Sequence, residues 1–424
     1  MRYVEVETPL GERERVEYNV DTRLTGVPPS LDEPSPDASV VSFRTTDNAD
    51  RNAFYWDPLQ MARGEGDYSQ AHLYHFVQPD FSDRAKSILE SYRPPSDGRI
   101  WYNYPGQPAP YVMGTLDRPS VVARLVPDAT GTLVTQAHNY EYNDVGNITR
   151  SVDPRGRETR WEYATNGIDL VRVQRLEGTV WNTVAEYTYN PADPPHVPRT
   201  MTDASGSVTT YGYTSFGRVA TVTNALGETI NYAYETDPAA NGYRRVIKIS
   251  GDVAGGDIRM TYDGHDRVRS VWTTGGSTVT YDYDDLDRVT VKTFEDGSFE
   301  QFAYENHSLV ATRDRAGRWT RHFYNALRQR LLTRDAAGNT TQFLWCKCGS
   351  LSGLVDGNGN LTEWDRDIQG RVTTKRYPDG TEYQYEYDFA GRLASQEDPK
   401  GQIKSWTYFL DDQVKDISYT DPGT

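Results

Sequence analysis

The stretch TYDYDDLDRVT, residues 280–290, places four carboxylates within six positions, which is a pattern that could hold a cation. Its acidic residues are Asp282, Asp284, Asp285 and Asp287. A calcium loop of the EF-hand type needs glycine at its sixth position and a bidentate acid at its twelfth. Counted from Asp282, those positions hold Asp287 and Thr293, so both requirements fail. The spacing argues against a cation site, and the aspartates need another explanation.

The second candidate for chemistry is WCKCG, residues 345–349, which contains both cysteines of the chain, Cys346 and Cys348. Thiolates bind zinc or copper(I), but two sulfurs are only half of a tetrahedral site. His322 is the only neighbouring supplement, and no second cysteine pair exists. Cysteines this close rarely form a relaxed disulfide, because a bridge prefers a certain Cα separation. The favoured interpretation is a variant turn, with the metal half-site as the alternative.

No other pattern predicts catalysis. The segment DGNGN, residues 356–360, resembles the first half of a calcium loop, but Leu361 stands where glycine is required, and a hairpin turn is the simpler interpretation. No zinc-protease, hydrolase or phosphate-loop motif occurs. His72 and His75 lie three apart in a strand-like run and face opposite sides. We therefore predict a protein that is not an enzyme and has no cofactor.

Composition excludes several classes of protein. The net charge of −16 argues against binding to a nucleic-acid backbone, which requires clustered lysine and arginine. The first residues have no apolar core of a secretory signal, and no 18-residue apolar run predicts a membrane span. Two cysteines in 424 residues exclude a disulfide scaffold. Apolar burial must depend on 30 tyrosines, which suits sheets with one packed face.

An internal repeat of about 21 residues organises most of the chain. Each copy has an aromatic anchor followed by a polar turn, and successive anchors are 19 to 28 residues apart. The anchors are Tyr142, Tyr163, Tyr189, Tyr213, Tyr234, Tyr262, Tyr283, Tyr304, Tyr324, Trp345, Trp364, Tyr387 and Tyr408. Alternation with period two before each anchor and turn residues after it predict one β-hairpin per unit.

This repeat explains the aspartates of 280–290. Asp284 occupies the position that Asp388 and Asn143 hold in other units, and Asp287 occupies the position of glycine. Gly217 with Arg218, and Gly391 with Arg392, are the corresponding pairs in two of the clearest copies. Glycine supplies positive φ in such turns, and aspartate caps them through its side chain. The acidic residues are therefore predicted to be turn residues in register.

Residues 1–135 lack the repeat and are predicted to form a separate β-rich region with short helices, while 136–424 form the array. RVEYNV (15–20) and HLYHFV (72–77) are typical of strands. WDPLQMARG (56–64) predicts a helix with Asp57 as N-cap and Pro58 at the first position. FSDRAKSILESYRPP (81–95) predicts a second helix, and VPPSLDEPSPD (27–37) predicts a proline-rich loop.

The pattern Y-x-Y-D-x-x-G-R-[LV] resembles the bacterial RHS (rearrangement hotspot) or YD-repeat proteins, whose animal relatives are the teneurins. The resemblance covers residues 136–424, and residues 54–68 and 99–107 resemble stretches that precede such repeats more weakly. It implies an all-β fold in which a ribbon of hairpins forms part of a hollow β-shell. In bacterial members the shell often encloses an exported toxic C-terminal domain; in teneurin-like members it supports adhesion outside the cell.

The end of the chain departs from that family pattern. Toxin-bearing members carry a core region with an acidic cleavage site after the repeats, whereas this chain ends in YTDPGT, and autocleavage is not carried over. About 26 strands spaced ~4.8 Å apart give a ribbon of roughly 125 Å, which is about one turn and leaves open sheet edges. We therefore expect a slice of a longer shell, or a chain that needs partner strands.

Two functions remain open at this point. The first is a structural shell segment of a secreted or cell-surface protein that encloses a cargo or toxin polypeptide. Its partners would be the remaining shell segments of a longer chain or other copies, together with the enclosed polypeptide. The second is an adhesion or carbohydrate-binding module that uses exposed tyrosine and tryptophan to bind glycans. Aromatics repeated at one strand position favour cross-strand packing over sugar binding.

Overall fold

The structure, a computed structural model, describes residues 2–20, 51–77, 88–109, 112–251 and 256–421. Within these ranges the chain forms 33 strands and one short α-helix, α1 (Pro58–Gly64). The strands before the array and at its start are β1 (Arg2–Glu7), β2 (Arg13–Val20), β3 (Asn52–Trp56), β4 (His72–Phe76), β5 (Leu89–Arg93), β6 (Ile100–Asn103), β7 (Val121–Pro127) and β8 (Leu133–Tyr142).

The remaining strands follow one another through the array. They are β9 (Ile148–Val152), β10 (Glu158–Tyr163), β11 (Leu170–Glu177), β12 (Val180–Thr188), β13 (Thr200–Asp203), β14 (Val208–Tyr213), β15 (Val219–Thr223), β16 (Thr229–Tyr234), β17 (Val246–Gly251), β18 (Ile258–Tyr262), β19 (Val268–Thr273), β20 (Thr278–Tyr283) and β21 (Val289–Phe294). After these come β22 (Phe299–Glu305), β23 (Ser308–Arg313), β24 (Trp319–Tyr324), β25 (Arg330–Arg334), β26 (Thr340–Trp345), β27 (Leu351–Val355), β28 (Leu361–Arg366), β29 (Val372–Arg376), β30 (Glu382–Tyr387), β31 (Leu393–Glu397), β32 (Ile403–Tyr408) and β33 (Val414–Thr420).

The strands form one open sheet in which sequence neighbours pair antiparallel, so the predicted all-β ribbon of hairpins is confirmed. In β20 and β21, Val279 pairs with Phe294 and Asp282 pairs with Val291. The register then shifts, and Tyr283 pairs with Val289. The same shift recurs at the end of other aromatic strands, for example at Tyr213, Tyr262 and Tyr387. A bulge of this kind bends the strand and increases its twist, and the alternating pattern did not predict it.

Two kinds of turn alternate along the array. The turn that directly follows an anchor, such as Asp284–Arg288, is called the anchor turn below. Its backbone is closed by two hydrogen bonds, from Asp284 N to Arg288 O at 3.0 Å and from Asp287 N to Asp284 O at 3.2 Å. Asp287 has φ of +61°, whereas the equivalent Gly391 has φ of +79°. Glycine is favoured there because this conformation strains a residue with a Cβ atom.

The predictions for the N-terminal region are confirmed in part. Helix α1 begins after Asp57, whose side chain accepts from Gln60 N, while the Gln60 side chain accepts from Asp57 N and completes a capping box. The strands predicted at 15–20 and 72–77 are present as β2 and β4. The helix predicted at 81–95 is wrong where it can be compared, because 89–93 form β5. The loop at 27–37 lies outside the described residues.

The chain forms two compact units. The first contains Met1–Glu158, Tyr324–Leu332 and Thr341–Thr424, and the second contains Thr159–Phe323 and Thr333–Thr340. Of the fourteen buried apolar side chains among the described residues, all but Ala185 lie between Phe54 and Val126. The first unit therefore holds the hydrophobic core, and the array strands of both units consist mainly of half-buried side chains. The domain boundary at residue 135 stays a prediction.

Candidate functional site

The aspartates of 280–290 do not converge on a common point. Asp284 Oδ1 accepts from Leu286 N at 2.9 Å and Arg288 N at 3.0 Å, and its Oδ2 accepts from Arg288 Nε at 2.8 Å. Asp282 pairs with Arg269, and Asp287 Oδ1 pairs with Arg267 Nη1 at 2.8 Å. The hydrogen bond from the Arg288 side chain holds the pKa of Asp284 below its usual range. Asp284 is thus an ionised turn cap, and Asp282 and Asp287 pair with arginines rather than with a common ion.

The hydrogen bond from the arginine Nε to the aspartate Oδ2 four residues earlier, as in Arg288 and Asp284, is called the clasp below, and it also closes other turns of the array. In the anchor turns, Arg267 Nε donates to Asp263 at 2.8 Å, Arg371 Nε to Asp367 at 2.6 Å and Arg392 Nε to Asp388 at 2.7 Å. A charge-assisted hydrogen bond between residues four apart fixes the turn and orients the arginine. Arg218 follows Gly217, but Thr214 replaces the aspartate, so this unit lacks the clasp.

The anchor side chains bind each hairpin to the hairpin before it. Tyr283 Oη donates to Val268 O at 2.7 Å, and Val268 directly follows the arginine of the preceding anchor turn. Burial raises the pKa of Tyr283, so its hydroxyl remains a donor at neutral pH. Further donors to a carbonyl 15 residues earlier are Tyr213, Tyr234, Trp345, Tyr387 and Tyr408. Tyr262 and Tyr142 donate over 16 and 23 residues, to Val246 O and Pro119 O.

An arginine from the preceding unit also covers the anchor ring. The guanidinium of Arg267 lies 4.6 Å from the centre of the Tyr283 ring, and that of Arg392 lies 4.5 Å from the Tyr408 ring. Arg288 on Tyr304 and Arg371 on Tyr387 repeat the contact at 4.3 and 4.5 Å. A cation over an aromatic face contributes about 0.5–1 kcal/mol at an exposed site. Aspartate, arginine and tyrosine thus form one unit of contact that recurs along the ribbon.

Most of the remaining predicted anchors occupy comparable strand ends. Tyr189 directly follows β12, and its Oη donates to Leu170 O at 3.0 Å. Tyr163 and Tyr304 lie at register shifts, and Tyr324 ends β24 with Arg330 5.9 Å from its ring centre. Trp364, however, lies two residues before the anchor position. The register shift falls at Arg366, whose Nη2 donates to Leu351 O at 2.8 Å, 15 residues earlier. Arginine here replaces tyrosine as the donor, and an aromatic pattern could not identify it.

Cys346 and Cys348 are joined by a disulfide bond, with Cα atoms 5.2 Å apart. The sequence-based expectation that such close cysteines would not bridge is therefore wrong: this Cα separation is within the usual range for disulfides. Cys346 occupies the position of the capping aspartate, and its Sγ accepts from Cys348 N at 3.1 Å. With both sulfurs in the bridge, the pair offers no thiolate to a metal, and His322 Nδ1 lies 3.2 Å from Thr333 Oγ1.

A metal centre finds no support elsewhere in the described part of the chain. No group of three or more histidine, cysteine or acidic side chains there is arranged to hold an ion. Asp356 of the DGNGN segment caps its turn by accepting from Asn358 N at 2.8 Å and Asn360 N at 2.9 Å. That geometry is the turn predicted from the sequence.

A buried polar cluster in the first unit escaped the sequence analysis. Arg51 and Glu90, each at most 2% exposed, form an ion pair of 2.6 Å, and Arg51 Nη1 also donates to Phe76 O at 2.9 Å. His75 lies beside this pair, with Nε2 3.4 Å from Glu90 and Nδ1 2.6 Å from Asn52 Oδ1. Burial lowers the pKa of His75 although Glu90 opposes the shift. Arg51 and Glu90 are 39 residues apart in the sequence, so no local sequence pattern predicts their ion pair.

A second feature missed from the sequence is the docking of the N-terminal region on anchor turns of the first unit. Arg371 Nη1 lies 3.2 Å from Asp97, and Gln369 Nε2 donates to Pro95 O at 2.6 Å. Gly98 N donates to Phe389 O at 2.9 Å, and a Cβ at Gly98 would meet the Phe389 ring. Desolvation raises the pKa of Asp97, although Gln369 and Arg371 oppose it.

Further contacts extend this docked edge to the last two anchor turns. Arg392 Nη2 donates to Pro127 O at 2.9 Å, and Arg124 Nη1 donates to Ala390 O at 3.1 Å. Arg124 also pairs with Asp412 at 2.6 Å, and Gln136 Nε2 donates to Leu410 O. Arg157 and Asp411 form another ion pair. Most contacts of this edge are polar, and many are made to backbone carbonyls, which no sequence motif encodes.

A cleft of about 600 Å³ also lies in the first unit. Its walls include the neighbouring aromatic residues Tyr140 and Tyr142 and the acidic residues Glu141 and Asp144. Glu141 is paired with Arg150 at 2.7 Å, and Tyr142 Oη donates to Pro119 O at 2.8 Å. In this cleft Tyr140, whose ring lies parallel to that of His138 with 6.4 Å between ring centres, is placed beside carboxylates.

Comparison with known proteins agrees with this architecture. The RHS Repeat family profile matches residues 198–229, 262–298 and 367–403. No curated protein matches the chain by sequence search. Among solved structures, the complex TcdB2-TccC3-Cdc42 matches with a TM-score of 0.59, 12% identity and coverage of 100% of this chain. The Photorhabdus luminescens Tc holotoxin pore with the TccC3-D651A mutation matches with a TM-score of 0.60, also at 12% identity over 100% of this chain.

This chain spans about a fifth of those structures, 22% and 21% of their chains respectively. At such low identity the likeness establishes the fold alone, which is that of a tandem β-repeat shell. No helix in the described part of the chain is long and apolar enough to cross a membrane.

Proposed function

We propose that this chain, an RHS-repeat protein, is a wall segment of a secreted or cell-surface shell that encloses a cargo polypeptide, and that it acts without catalysis. The observation that carries the proposal is the recurring contact of aspartate, arginine and anchor tyrosine. It joins several hairpins to their predecessors, as in Tyr283 to Val268 O, and uses the polar side chains of the repeat to hold the hairpins together. Such side chains are already occupied by one another and are not arranged around a substrate.

The ends of the sheet support a role within a larger wall. Every residue of β33 is exposed, whereas those of β31 are half-buried between two neighbouring strands. Exposed apolar side chains lie on both outer strands, with Tyr3 and Val4 on β1 and Ile417 and Tyr419 on β33. An exposed edge strand invites pairing with another strand. We therefore infer that further shell strands, from a longer chain or another copy, cover these edges.

The docking of the N-terminal region on the anchor turns is further evidence for the proposed wall. It covers anchor turns of the first unit through Asp97, Arg124 and Pro127, so the turn edge of that part of the ribbon is sealed by hydrogen bonds. One structural neighbour, TcdB2-TccC3, joins two components in one structure, which fits a shell built with a partner segment. By analogy, the partners proposed here are the remaining shell segments and an enclosed polypeptide.

Protease protection of the native product tests the enclosure. The product is isolated from the source cells and digested with trypsin, and surviving peptides are identified by mass spectrometry. We expect a polypeptide from outside residues 1–424 to survive until the shell is opened with urea. A native mass of 48.0 kDa with no co-purifying polypeptide would contradict the proposal.

Two matched variants make this test specific to the docked edge. Asp97→Arg places like charges beside Arg371 and is expected to make the cargo sensitive to trypsin. Asp296→Arg makes the same charge change opposite Arg315, in an exposed turn of the second unit, and should leave the cargo protected. Equal sensitivity of the two variants would show that docking does not seal the cargo.

Glycan binding is a second candidate, favoured by the cleft beside Tyr140. An aromatic face can pack against a sugar ring, and the carboxylates of Glu141 and Asp144 can accept from hydroxyl groups. Binding to a glycan array that is lost in Tyr140→Ala would support this function. No binding by the unmodified chain would exclude it at this cleft.

A further inference from the structure

The anchor turn at Cys346–Ser350 has the same backbone as the cysteine-free anchor turns. Cys346 N donates to Ser350 O at 3.0 Å, and Gly349 N donates to Cys346 O at 3.0 Å. The turn at Asp388 forms the equivalent bonds at 2.8 and 2.9 Å with no disulfide. The bridge is therefore not needed to make the turn.

The bridge also contributes little by restricting the unfolded chain. It joins residues two apart in sequence, and the entropy that a disulfide removes from the unfolded state falls as the closed loop becomes shorter. In several other anchor turns, a hydrogen bond between an aspartate and an arginine closes the turn without redox chemistry. What distinguishes the disulfide from the aspartate–arginine pairs is therefore mainly that it can react with a thiol.

The environment of the bridge fits exchange with a thiol. Both cysteines are half-buried at a turn, and exposed Lys347 lies between them. The backbone N–H of Cys348 donates to Cys346 Sγ at 3.1 Å, which stabilises negative charge on that sulfur. A nearby ammonium group likewise favours a thiolate. After exchange, the released Cys346 thiolate can attack the mixed disulfide and expel the partner thiol, so an attachment at this site would be reversible.

We propose that Cys346–Cys348 is a thiol-capture site that forms a mixed disulfide with a thiol of another molecule. The incoming thiolate attacks Cys348 Sγ, a new S–S bond forms there, and the Cys346–Cys348 bond breaks. Its electron pair leaves on Cys346 Sγ, which then takes up a proton from solvent. One thiolate is consumed and one is released, so the exchange needs no external oxidant. The site would attach the shell covalently, and reversibly, to a thiol-bearing partner.

Reduced glutathione is the first probe, and a cysteine-containing peptide is the second. The full chain is incubated with each probe, free thiols are then alkylated, and the 345–350 region is identified by mass spectrometry. We expect the probe on Cys348 and the alkyl group on Cys346. Capture of the peptide but not of glutathione would indicate a protein thiol as partner, and capture of both would indicate any accessible thiol.

Charge variants test the role assigned to Lys347. Lys347→Glu is expected to slow exchange several-fold, because it repels the incoming thiolate and destabilises the leaving one. Lys400→Glu makes the same change in a cysteine-free turn and should leave the rate unchanged. Cys346→Ser is expected to abolish capture, because no disulfide remains to be attacked.

Two results would overturn the proposal. The first is a bridge that resists both probes, and excess dithiothreitol, in the folded chain. The second is a preparation whose two cysteines remain free thiols after treatment with oxidised glutathione. In either case the pair would be a turn variant without exchange chemistry.

Discussion

The N-terminal region and the repeat array are stabilised by different kinds of contact. The former buries large side chains such as Phe54, Trp56 and Trp101, each at most 1% exposed. In the array, by contrast, strand residues are half-buried, and anchors such as Tyr283 are held by a carbonyl at one end and a guanidinium on one face. A packed core couples distant segments, whereas the array couples each hairpin mainly to its neighbours. Substitutions should therefore have broader effects in the former.

The largest expected effect is in the apolar core. Phe54→Ala removes a fully buried ring that packs against Trp56, Met61 and Leu73, and should lower the free energy of unfolding by about 3–5 kcal/mol. Phe323→Ala, at a side chain 45% exposed in β24, should change it by less than about 1 kcal/mol. Denaturant titration of both variants measures the difference. Equal losses would contradict the assignment of the core to the N-terminal region.

Removing a buried charge should have an effect of similar size. Glu90→Gln removes the carboxylate that pairs with Arg51 at 2.6 Å, where both side chains are buried, and such a loss costs about 3–5 kcal/mol. Asp314→Asn breaks the exposed pair with Arg318 and should have little measurable effect. Thermal unfolding of the two variants provides the comparison. If Glu90→Gln were neutral, the buried cluster would not stabilise the region.

A smaller and local effect is expected from an anchor hydroxyl. Tyr283→Phe removes the hydrogen bond to Val268 O and should cost about 1 kcal/mol. Tyr281→Phe, two residues earlier, makes the same change where no hydrogen bond of the hydroxyl was found among the described residues. Hydrogen exchange of β19 and β20 should be faster only in the former variant. Faster exchange throughout the chain would indicate coupling beyond neighbouring hairpins.

The smallest expected effect is on the pH dependence of stability, which should have opposite signs in the array and in the N-terminal region. Burial acts to raise the pKa of Asp263, but hydrogen bonds from the Arg267 backbone and side chain outweigh it and lower the pKa to about 2. Its contribution to stability is present above pH 3.8 and is lost as pH falls from there to about 2. Desolvation raises the pKa of Asp97, so its contribution to stability decreases as pH rises above 3.8.

Hydrogen exchange, corrected for intrinsic rates, measures how local stability near Asp263 and near Asp97 changes with pH. Protection of the Asp263 turn should decrease as pH falls from 3.8 to about 2, a range set by the ordinary and shifted values, and Asp263→Asn should remove that decrease. Protection near Asp97 should change in the other direction, and Asp97→Asn should remove its slope. If protection near Asp263 and near Asp97 changed with pH in the same direction, the opposite pKa shifts assigned to these two residues would be contradicted.

Local periodicity in the sequence determined the hairpin array. Units such as 281–298 and 385–402 carry their own aromatic strand, turn residues and arginine, so short-range rules predict the strands and the turn role of Asp284, as the structure has them. The same reasoning gave Asp57 as the helix cap. These features depend on residues within a few positions of one another, and the sequence displays such residues directly.

The remaining features were decided by tertiary structure, because they depend on residues far apart in the chain. Only the fold brings Arg51 to Glu90, and Asp97 to Arg371 across 274 positions. Residues 89–93 form a strand because β4 and β6 flank them, which overrides a helical pattern. Arg366 serves as an anchor because the register places it opposite Leu351 O, and Cys346 bridges Cys348 because the turn brings their Cα atoms to 5.2 Å. Local pattern specifies the hairpin, whereas contacts between distant segments specify how the hairpins are held together.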